Sequence, residues 1–267
     1  MISRLAPCAA TVAGALALAG AAGAAPVDDL DGAVTLVTQW GPEYLGARDR
    51  GVSLRPGAYV RWGRLSVSSG GGWASPRQDD ELRGLGLELT RAENYRVSLG
   101  LRFDSGRQES SSAALAGMGD VKRTVRARLG ASWRVNRHWE LRLGWTVDAF
   151  GRGGGNLGEA KLQHEWALSP RLQLSSGASL SLAGDRYLQT YYGVTPEQSA
   201  RSGYREFSPS MSLRDLTLYT SLRFGFGEDW VGTVGAGWTR MLGDAARSPL
   251  TQRREAWSTN AGVGWRF

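Results

Sequence analysis

Residues Trp139-Glu140-Leu141-Arg142-Leu143-Gly144-Trp145-Thr146-Val147-Asp148-Ala149 alternate without a break between apolar side chains and polar or small ones. Successive residues of an extended strand point to opposite sides of a sheet. This segment therefore has one face of Trp, Leu, Val and Ala, and another carrying Glu140, Arg142, Thr146 and Asp148. The pattern repeats along the chain. From Asn94 to Asp104 the apolar set is Tyr95, Val97, Leu99, Leu101 and Phe103, interleaved with Arg96, Ser98, Gly100, Arg102 and Asp104. Leu172 to Leu182, Leu216 to Phe226 and Trp257 to Phe267 alternate in the same way.

A soluble β-sandwich also alternates, but three features argue against it. The segments run for about 11 to 15 residues, longer than a usual globular strand and suited to a tilted membrane span. The polar face carries charges of both signs at mid-strand. Trp133, Trp139, Trp166, Trp230 and Trp265 fall at strand ends, where an aromatic girdle belongs. The sequence thus predicts an all-β fold, a transmembrane antiparallel up-and-down β-barrel of about 12 strands. Short connections near residues 92–94, 135–137, 169–171 and 227–229 alternate with longer ones near 75–81, 106–119, 185–212 and 244–253. Short turns belong in the periplasm and long loops outside. An even number of strands, counted from a first strand at about 33–44, leaves both termini in the periplasm, and Phe267 becomes the terminal aromatic of the closing strand. Pro56 and the Gly70-Gly71-Gly72 run blur the first three strands.

The composition agrees. Met1 to Arg4 carries one positive charge, an apolar run follows, and Ala22-Gly23-Ala24 closes it, as in a secretory signal. The expected division is a cleaved signal at 1–24 and an outer-membrane barrel at 25–267. The single cysteine, Cys8, lies in that signal, and its apolar run follows rather than precedes it, unlike a lipoprotein site. A mature chain so defined has no thiol for disulfides or metal ligation. It holds 31 Lys and Arg against 25 acidic residues, a balance of +6, and all but Lys122 and Lys161 of the cations are Arg. For an exported protein the anionic partners are outer-membrane lipid and lipopolysaccharide phosphates rather than nucleic acid.

Tyr191-Tyr192-Gly193-Val194-Thr195-Pro196-Glu197-Gln198-Ser199-Ala200, Leu242-Gly243-Asp244-Ala245-Ala246 with Ser248-Pro249, and the Phe267 ending resemble the MipA/OmpV family of outer-membrane proteins. Pro56-Gly57-Ala58-Tyr59 with Arg61-Trp62-Gly63 extends the resemblance over the mature chain. The resemblance implies a non-enzymatic scaffold that links a lytic murein transglycosylase to a peptidoglycan synthase. The family brings no agreed catalytic site, so none is carried over. The alternative class is a diffusion pore or small-ligand channel.

Residues that could do chemistry are few. His138 opens a strand beside a periplasmic turn, and His164 shares parity with Leu162 and Trp166. Neither sits in the His-x-Ser arrangement of the barrel phospholipases, and a nucleophile must meet its base within hydrogen-bond reach. Interfacial or structural use is expected for both. Asp79-Asp80-Glu81 reads as a solvated loop tip. Gly151-Arg152-Gly153-Gly154-Gly155 lacks the Lys and Ser or Thr of a phosphate-binding loop. No catalytic, cofactor or metal site is expected. The inward set pairs Arg96, Arg102, Arg126, Arg128, Arg134, Arg142 and Arg223 with Glu88, Asp104, Glu140, Asp148, Glu159, Glu165 and Asp215. Buried charges must pair or stay hydrated, which predicts a narrow or plugged lumen. In the longest loop, Thr195 suits an N-cap, Pro196 the first helical position, Gln198 a capping box and Gly203 a C-cap. A short helix over Pro196–Ser202 is expected to cover the barrel mouth or present a binding surface.

Overall fold

A computed structural model describes residues 30–75 and 83–267. The signal at 1–24 and the Asp79-Asp80-Glu81 run lie outside the described residues. Twelve strands form one closed antiparallel barrel: β1 (Leu30–Pro42), β2 (Arg50–Trp62), β3 (Leu65–Ser68), β4 (Gly84–Arg91), β5 (Tyr95–Asp104), β6 (Thr124–Arg134), β7 (Trp139–Asp148), β8 (Asn156–Ser169), β9 (Leu172–Ala183), β10 (Ser212–Phe226), β11 (Trp230–Met241) and β12 (Glu255–Arg266). Each strand pairs with its sequence neighbour, and β1 closes on β12 from Ala33 opposite Arg266 to Trp40 opposite Thr259. Closure leaves no sheet edge, so every span can pair its backbone groups without water. The last pair extends past the strand: the Gly32 amide donates to the Phe267 carbonyl and the Phe267 amide to that of Gly32, both at 3.1 Å. A side chain on Gly32 would strike the Phe267 ring, so the terminal aromatic lies flat across the seam. Among the described residues no helix is long and apolar enough to cross a membrane.

The faces follow the alternation. On β5, Leu99 and Leu101 are 44% and 49% exposed on the outside, whereas Ser98 and Gly100 are buried within. In a membrane that exposed apolar band meets lipid. Trp133, Trp139, Trp166, Trp230 and Trp265 all lie on the outer face at the end bearing the tight turns. His164 sits in this girdle, its ring 4.6 Å from Trp139, 4.2 Å from Trp166 and 5.6 Å from His138. Both histidines thus lie at the girdle, His164 by its parity with Leu162 and Trp166 and His138 by its place at the periplasmic turn.

The long loops fold into an external cap. Helices α1 (Asp185–Tyr192), α2 (Pro196–Ser202) and α3 (Gly243–Arg247) stand over the rim. The α2 boundaries are those read from the sequence. Thr195 Oγ1 accepts from the Gln198 amide, Gln198 Oε1 accepts from the Thr195 amide, and Gly203 takes φ 76° to end the helix. Gln198 and Arg201 then donate to the carbonyls of Met118 and Gly117 at 2.7 and 3.2 Å, which fixes α2 onto the 105–123 loop. The cap has its own apolar cores. Leu188 and Tyr192 pack with Ala183, Met241 and Ala245, and Val194 packs with Met118 and Leu250.

Two readings need correction. The first strand spans Leu30–Pro42 rather than 33–44. The first long connection does not run from 75 to 81. Strand β3 stops after four residues, and the chain from Ser69 turns into the barrel.

Candidate functional site: the lumen and its external mouth

Inward residues, along one strand or on strands one or two places apart, build a ladder of ion pairs. Arg142 and Glu140 meet at 2.6 Å and Arg128 and Glu159 at 3.3 Å, while Arg126 grips Asp104 more tightly. Arg61 of β2 reaches Glu88 of β4 in a buried pair, with Arg96 3.8 Å from the same carboxylate. Asp148 and Glu165 take hydrogen bonds from neutral groups instead, Asp148 from the Gly154 amide and Glu165 from Gln163 and Gln173. Arg214 and Asp215 share a face although they are consecutive. A bulge in β10 at this point breaks the alternation, and that is why Arg214 was missing from the inward set read off the sequence.

Arg55, Arg83 and Arg102 are different. They are exposed, and among the described residues none forms an ion pair. On β2 and β5, Arg55 and Arg102 point inward, so their exposure is to the lumen, as is that of Asn260 on β12. Arg83 precedes β4 between them, close enough to repel both electrostatically. The middle of the barrel is therefore open to solvent and, among the described residues, carries arginines without an ion-pair partner on one wall.

Below this zone the segment 69–75 obstructs the lumen. Gly72–Ala74 form a single 3-10 turn, and the Ser75 hydroxyl closes it by donating to the Gly72 carbonyl at 3.0 Å. Ala74 is fully buried against Ala33 and Val231, with Trp73 alongside. This strap fits because β12 presents glycines there. A Cβ on Gly262 would lie 3.2 Å from the Trp73 ring, and one on Gly264 2.8 Å from Ala74. Arg223, expected to face a carboxylate, instead donates to the Ala74 and Ser75 carbonyls at 3.4 and 3.3 Å.

At the external mouth, the 43–45, 105–111 and α1 segments border an open cavity of about 540 Å³. Tyr44, Tyr187 and Tyr191 line it together with Arg107, and the exposed Glu43 stands among the lining residues. Burial drives the Tyr44 phenol up to about 12, and it also raises Tyr191. Burial likewise pushes the Arg107 guanidinium down. Of these residues only Tyr191 is named from the sequence, in the stretch that carries the family resemblance.

The family model described as "MltA-interacting protein MipA" matches residues 34–267. The chain is 25% identical over 189 residues to the Escherichia coli O157:H7 protein named "Putative outer membrane protein YiaT", covering 68% of this chain and 74% of that one. Among solved structures, an outer-membrane channel from Pseudomonas putida F1 aligns over 93% of this chain and 98% of its own at 12% identity and a TM-score of 0.49. The NanC porin aligns over 87% and 98% at 8% identity and 0.44. These structural likenesses concern the fold alone. The family match takes in β1 from Val34 onward, the other eleven strands, the strap and the external cap, and on that extent the chain belongs to the MipA family of outer-membrane β-barrels.

Proposed function

We propose that this barrel is a narrow, non-enzymatic passage that favours small anionic solutes and is restricted by its own strap. The observation that carries the reading is the mid-lumen trio Arg55, Arg83 and Arg102. The neighbouring carboxylates are committed to other arginines or to hydrogen bonds, so the wall that a solute passes is net positive. Rings of Arg or Lys select anions by lowering the electrostatic cost of entry. In planar bilayers under a KCl gradient, the reversal potential should report anion preference. Arg55→Gln with Arg102→Gln should move it toward cations. Cation preference in the unaltered protein, or no shift in the double variant, would overturn the reading.

The family's printed name, MltA-interacting protein, is the ground for a second reading, the scaffold between a lytic murein transglycosylase and a peptidoglycan synthase that the sequence resemblance implies. The periplasmic face offers five tight turns, at 63–64, 92–94, 135–138, 170–171 and 227–229. A stable interface needs about 800 Å² per partner, more than such turns supply individually. Affinity capture from crosslinked cells should recover the transglycosylase if this role holds. Its absence, in preparations that do recover the barrel's assembly factors, would count against it.

A further inference from the structure

The external cavity serves neither reading, and its lining is chemically distinctive. Arg107 is half-buried and forms no ion pair among the described residues. Its Nη1 donates to the Tyr191 carbonyl at 2.8 Å, its Nε has no acceptor, and its guanidinium lies 5.8 Å from the Tyr191 ring centre. A cation held this way is stabilised by an incoming anion, and a planar guanidinium fork matches a carboxylate. The three phenols are already engaged. Tyr44 donates to the Leu250 carbonyl at 2.9 Å, Tyr187 accepts from Arg214 at 2.8 Å and Tyr191 accepts from Arg126 at 3.4 Å. With their hydroxyls fixed, they can offer ring surface to a ligand. Tyr187 and Tyr191 already pack at 4.7 Å between centroids, the spacing of aromatic pairs. Glu43 in the lining disfavours a second negative charge on the ligand. The volume is that of a small-molecule pocket.

We propose that this cavity binds a small aromatic monocarboxylate, with its carboxylate on the Arg107 guanidinium and its ring against Tyr44, Tyr187 and Tyr191. Binding at the mouth does not depend on whether the lumen conducts, so the two proposals can fail separately. The test is calorimetric titration of the folded full-length barrel in detergent with benzoate, phenol and inorganic phosphate as probes. Benzoate should bind saturably and more tightly than phenol, and phosphate should not displace it. Arg107→Gln should weaken benzoate about tenfold or more, the loss of a charged hydrogen bond, and leave phenol unchanged. Ser105 is exposed at the cavity edge, and among the described residues no hydrogen bond of its side chain holds the fold. Ser105→Trp should fill the cavity and abolish binding of both rings, which keeps the test decisive if the Arg107 variant does not fold. Equal affinity for benzoate and phenol, displacement by phosphate, or benzoate binding that survives both substitutions would overturn the proposal.

Discussion

Arg61→Met should destabilise the folded barrel by about 3–5 kcal/mol, the cost of leaving a buried charge without its partner. Arg61 and Glu88 side chains are each only 5% exposed, and they join β2 to β4 across the shortest strand of the barrel. Arg61 Nε also donates to the Gly63 carbonyl at 3.0 Å, which ties the pair to the periplasmic turn. Arg96 Nε lies 3.8 Å from the same carboxylate, too distant for a good charged hydrogen bond in place of the one from Arg61. The double variant Arg61→Met with Glu88→Leu should recover most of the loss, because it removes both desolvation costs together. Reversible urea unfolding in lipid vesicles measures both. A single-variant loss below about 1 kcal/mol would mean that the pair behaves like an exposed one.

Leu143→Arg should cost about 2–4 kcal/mol, as expected for a cation on the lipid face near the membrane midplane. Leu143 is 49% exposed on the outer face, between Ala131 of β6 and Ala160 of β8. The same change at Asn260 puts the cation into the solvated lumen and should cost much less. The same vesicle assay compares them. Equal penalties would refute the assignment of faces.

Strict alternation made β5, β7 and β12 legible, since a residue's parity alone decides its side of the wall. The girdle followed from Trp residues at strand ends, and α2 from the chemistry of Thr195, Gln198 and Gly203, which acts within a few residues. The rest depends on distant partners. The strap reads locally as a glycine-rich turn, and what draws it inward is the space above Gly262 and Gly264 on the last strand. Those glycines share the parity of the inward Asn260, but a missing side chain does not say what fills its place. The mouth cavity joins three loops, with Arg107 and Tyr44 brought to α1 only by closure of the cap. Arg214 was hidden by a bulge, where parity itself fails.

The 185–212 loop, whose helix was expected to cover the barrel mouth or present a binding surface, packs into the external cap, and the strap is the element inside the lower lumen. Ser68 and Gly84 are paired at the ends of β3 and β4, so residues 69–83 can be replaced by an Asn-Gly hairpin turn without altering the strand register. Single-channel recording of the intact and strapless barrels in planar bilayers is the most direct test of a strap-restricted passage. The account predicts a small conductance for the intact protein and a stable one severalfold larger without the strap. A large conductance already present in the intact protein, or none in either form, would contradict it.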